Sequence, residues 1–85
     1  MATTTHPRLT SAQRRSLADA FIDSYVSWRE ACEEIHSAYE RWKRCRVPQR
    51  GVAFESYSAA LDREELAARV HSDWTEQVRA AQQGE

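Results

Sequence analysis

Eighty-five residues, 41% hydrophobic and 29% charged, allow one domain at most and exclude a large self-sufficient core. A net charge of −1 excludes a global pull toward nucleic acid or anionic lipid. Two glycines and two prolines leave little material for turns, so few and long elements are expected.

Residues 1–9 read as a loose polar arm containing Pro7, with no apolar stretch of signal-peptide type. No run of about 20 apolar residues follows, so no membrane span is expected. Thr10-Ser11-Ala12-Gln13 fits a capping box, in which Thr10 caps the Gln13 amide and Gln13 reaches back. A helical period then takes over. Ala18, Tyr25, Cys32 and Tyr39 recur at seven-residue intervals, as do Phe21, Trp28, Ile35 and Trp42. The two ladders are offset by three, the a/d pattern of a packed helical seam. Leu17, Ala31 and Ala38 widen the stripe on one side and Ile22 on the other.

The first helix is expected over about 10–46, the turn over about 47–50, and a second helix over about 51–82. Pro48 biases Val47 away from helical geometry, Gly51 lies just beyond, and Gly84 is placed to end the second helix. The second apolar pattern runs through Phe54, Tyr57, Leu61, Ala68, Trp74 and Val78, flanked by Ala53, Ala60, Ala67 and Ala81. A short turn between long helices forces an antiparallel hairpin. Trp42 is then expected to meet Phe54, Tyr39 to meet Tyr57, and Ile35 to meet Leu61. Trp28 is expected against Ala67 and Ala68, and Phe21 near Trp74.

Two helices cover each other poorly, and each aromatic side chain has about 150–250 Å² to bury. The reading is therefore an all-α hairpin that self-associates, as a two-fold homodimer forming a four-helix bundle, the alternative being a monomer whose apolar groove takes another protein. Its seam would be Phe21, Tyr25, Trp28, Ile35, Tyr39, Trp42, Phe54, Tyr57, Leu61 and Trp74. Cys32 and Cys45 would lie about 20 Å apart along one helix. A disulfide requires Cα atoms about 4.4–6.8 Å apart, so reduced thiols and a cytoplasmic location are expected.

Glu64 and His71 fall on the inner ladder of the second helix, facing Cys32 and Tyr25. Buried ionisable groups must be hydrogen-bonded. Glu64, His71, Tyr25 and Cys32 therefore form a possible interior polar site for a ligand or metal, or else a polar layer that fixes register. Glu33-Glu34-Ile35-His36 contains the Glu-x-x-His of di-iron bundles, but Glu33 and His36 fall outside the seam. Arg41, Lys43, Arg44, Arg46 and Arg50 form a basic tip with no acid from 41 to 50. That tip suits an acidic partner, but it also matches the cations that complement a helix C-terminus, with Glu40 and Arg44 spaced to pair. No cofactor and no catalytic constellation is read from the sequence.

The stretch Ala53-Phe54-Glu55-Ser56-Tyr57-Ser58-Ala59-Ala60-Leu61-Asp62-Arg63-Glu64-Glu65 resembles small helical-hairpin proteins of actinobacterial type. Trp28-Arg29-Glu30-Ala31 and Tyr39-Glu40-Arg41-Trp42 add to that likeness. It implies a fold and carries no activity and no site residues. In size alone the chain is similar to secreted WXG-type hairpins, but its turn, Val47-Pro48-Gln49-Arg50-Gly51, lacks Trp-x-Gly. The expected function is a non-enzymatic protein–protein interaction module. The alternative is a small-molecule or metal-binding bundle using Glu64 and His71. A nucleic-acid accessory role through the basic tip is weaker.

Overall fold

A computed structural model describes residues 9–83. Two α-helices, α1 at Ser11–Arg44 and α2 at Arg50–Gln83, are joined by a 3-10 turn at Val47–Gln49. The N-terminal arm, apart from Leu9, and Gly84 lie outside the described residues. The helices pack along each other as a hairpin, one helix layer thick, with a smallest dimension of 14 Å. Among the described residues, no helix is long and apolar enough to cross a membrane.

The capping box forms as the sequence implies. The Gln13 amide donates to Thr10 Oγ1 at 3.0 Å, and the Thr10 amide donates to Gln13 Oε1 at 2.7 Å. Two of the amides left over at the helix start are thereby satisfied. At its other end α1 stops at Arg44, two residues earlier than the Pro48 argument places it. The break falls at Cys45 and Arg46, both extended with ψ of 155°. Pro48 instead sits within the 3-10 turn, where its missing N–H costs nothing. The Gln49 amide closes that turn on the Arg46 carbonyl at 2.9 Å, and the chain runs straight on into α2. No described residue needs a positive φ to make the reversal. Arg41, Lys43 and Arg44 occupy the last turn of α1, where cations complement the helix dipole.

The line of closest approach differs from the ladder the large residues suggest. The buried residues are Ser24, Ala31 and Ala38 on α1 and Ala60 on α2. Leu17, Ser24, Ala31, Ala38 and Cys45 form one seven-residue ladder. Ala53, Ala60, Ala67, Trp74 and Ala81 form another. Small side chains on these rows let two helices approach closely, since interaxial distance follows the size of the contacting residues. The row that accompanies Phe21, Trp28, Ile35 and Trp42 in the seam is therefore the small-residue one. Tyr25 and Tyr39, expected inside the seam, are displaced to one side and stand 45% and 40% exposed.

Candidate interaction surface

This displacement gives the flat hairpin two unlike faces. One collects the aromatic residues of both helices. At the turn end, Trp42 meets Phe54 with ring centroids 5.2 Å apart, and Tyr39 meets Tyr57 at 5.7 Å, as the sequence pairing predicts. Trp42 also stacks on Tyr57 at 5.6 Å and 15°, and Tyr39 meets Trp42 edge-on. The Lys43 ammonium lies 5.2 Å from the Tyr39 ring centroid, within cation–π range. These contacts are intramolecular, yet Phe54, Tyr39 and the neighbouring Leu61 remain 40% or more exposed.

A second cluster centres on Trp28. Its indole lies nearly parallel to the His71 ring, at 5.8 Å and 10°, while Phe21 and Tyr25 flank the imidazole at 5.1 and 5.6 Å. The Trp28 indole N–H donates to Glu64 Oε2 at 2.7 Å, a short charge-assisted bond. Ser24 fixes the imidazole from below. Its hydroxyl donates to the Phe21 carbonyl at 2.8 Å, which uses its one proton. The 2.9 Å contact between Ser24 Oγ and His71 Nδ1 is therefore donated by Nδ1–H.

Of the predicted polar quartet, the structure brings Glu64, His71 and Tyr25 around one indole. Cys32 is not hydrogen-bonded to them and stays a free thiol. Trp28 was expected against Ala67 and Ala68, and its indole spans the stretch of α2 from Glu64 to His71 that contains them. Phe21 was expected near Trp74 and packs on His71, one turn before it on α2, while Trp74 itself falls on the alanine row. Ser24 was missed. Its seven-residue spacing from Ala31 was the available signal, but a lone serine in an apolar pattern reads as filler. Among the described residues, no three His, Cys, Asp or Glu side chains are grouped to hold a metal ion. Glu33 and His36 are exposed, outside the seam.

The opposite face is mixed: Val52, Leu66 and Val70 stand exposed there among charged side chains. Arg63 reaches across to Glu34 at 3.4 Å, with both side chains more than half exposed, so the pair adds little. The side chains of the basic tip take different surroundings. Lys43 turns to Tyr39 and pairs with Glu40 at 3.3 Å, taking the carboxylate that the sequence assigns to Arg44. Arg41 and Arg44 line a shallow groove on that face with Pro48 and Val52. Arg46 and Arg50 are exposed on either side of the turn.

The surface as a whole is large for the chain. A folded monomer of 9.8 kDa exposes about 5,200 Å². This one exposes 6956 Å², an excess of about 1,800 Å² over that scaling. No family model matches the chain, and no curated protein or solved structure is significantly similar to it.

Proposed function

We propose that this protein is a non-enzymatic interaction module that self-associates through its aromatic face, as a homodimer with four helices in the bundle. The observation that carries the reading is the half-exposed apolar strip through Ile22, Tyr25, Tyr39, Phe54 and Leu61 on one side of the hairpin. Exposed apolar side chains gathered on one face mark an interaction site. A standard interface hides about 800 Å² on each partner, and obligate dimers hide more.

The Glu64 and His71 cluster supports the same reading. Glu64 Oε2 and His71 Nδ1 are hydrogen-bonded within the hairpin, to Trp28 and Ser24, and the cluster serves to fix register. The two free cysteines suit a reducing compartment, and the cytoplasm is the location we assign.

Sedimentation equilibrium on the wild type and on a Tyr25→Glu/Leu61→Glu variant tests the proposal. Both substituted positions are exposed in the single hairpin, so the variant should stay helical. The expected result is a dimeric wild type and a monomeric variant. An unchanged mass for the variant would contradict the proposal.

A further inference from the structure

The aromatic face is not uniform along its length. At the turn end it is raised by Tyr39, Trp42, Phe54 and Tyr57, which touch in a continuous ring cluster. At the open end it is hollow. A groove of about 330 Å³ lies there, lined mainly by Leu17, Ala18, Phe21, Ile22, Val78 and Ala81. Ala18 and Ala81 carry only methyl groups where the turn end carries rings. One chain thus holds both a projecting apolar cluster and an apolar hollow, at opposite ends of the same face.

We propose that the occupant of this groove is the turn-end cluster of a second copy, with the two hairpins packed face to face and pointing in opposite directions. This rests on the self-association reading above and specifies its geometry. A two-fold axis crossing the hairpin midway, near residue 30, places each cluster over the other copy's groove. The contact is isologous and closes, as a two-fold dimer requires. Large side chains meet small ones at both ends, as interdigitating cores require.

Charge selects the same arrangement. The tip from 41 to 50 carries Arg41, Lys43, Arg44, Arg46 and Arg50 and no acid. If both hairpins pointed the same way, two such tips would lie side by side. Pointing oppositely, they stand about 45 Å apart at 1.5 Å per residue. The Debye length at physiological salt is about 8 Å, so the repulsion is screened out.

The test is a dipolar distance measured by pulsed electron paramagnetic resonance, with the molecular mass taken on the same labelled sample. Gln49→Cys, in a Cys32→Ser/Cys45→Ser background, puts one nitroxide label on the exposed turn of each chain. A dimeric mass with a distance centred at about 50 Å is the expected result. A dimeric mass with a distance below about 25 Å, the parallel arrangement, overturns this geometry and leaves self-association standing. A monomeric mass without a dipolar distance overturns the geometry together with the reading on which it rests. Ala18→Trp, which fills the groove, is a second probe. It should weaken dimerisation at least tenfold, and unchanged affinity would contradict the groove's assignment.

Discussion

The indole N–H of Trp28 donates to the Glu64 carboxylate across the hairpin at 2.7 Å. The bond crosses between helices at a partly buried position, where losing one partner leaves the other unpaired. Hydrogen bonds to charged groups contribute about 1.5–3 kcal/mol. Glu64→Ala should therefore lower stability by about 1–3 kcal/mol. Glu64→Gln keeps an acceptor oxygen and should lose less than half of that. Urea unfolding followed by tryptophan fluorescence measures both, and equal losses for the two variants would contradict the role given to the carboxylate.

Trp28 itself is the central side chain of its cluster, touching Tyr25, His71 and Glu64. Trp28→Ala should cost about 3–5 kcal/mol, the range for large-to-small core aromatics. In so small a chain that loss is a large part of the total stability. Thermal unfolding by circular dichroism should show a steep fall in the midpoint. An unchanged midpoint would contradict the packing described.

The small-residue seam and the aromatic face should respond differently to substitution. Ala60 is 1% exposed, and Ala60→Leu forces the helices apart at an expected cost of about 1–3 kcal/mol. Tyr39→Ser removes a ring from the face and should weaken association more than it lowers helix content. Circular dichroism and light scattering on the two variants separate these effects. A well-tolerated Ala60→Leu would show that the helices do not depend on close approach.

Gly51 lies in the first turn of α2, and a Cβ added there would meet nothing within 4 Å. Its φ is not positive, so alanine adopts the same backbone. Gly51→Ala should raise stability by about 0.5–1 kcal/mol, through helix propensity and a less disordered unfolded chain. A lower midpoint in chemical denaturation would contradict the geometry assigned to the turn.

The hairpin was legible in the sequence because helix starts, turns and seven-residue spacing are local. Thr10 and Gln13 announced the start of α1, and the matched Trp42–Phe54 and Tyr39–Tyr57 pairs followed from the turn position. The choice between adjacent rows was not legible. The rows of Tyr25 and of Ser24 both flank the Trp28 row, and hydrophobicity favours the tyrosines. Close approach favours serine and alanine, whose benefit appears only when a second helix is present. The basic tip was visible as composition, but its division between the two faces depends on side-chain partners such as Glu40 and Tyr39.

The central claim is that the aromatic face is an interface between copies of this chain. Light scattering across a dilution series, from hundreds of micromolar down to below one micromolar, tests it most directly. The account predicts a mass of twice the 9.8 kDa chain that falls toward one chain only on dilution. A mass of one chain at every concentration would contradict it.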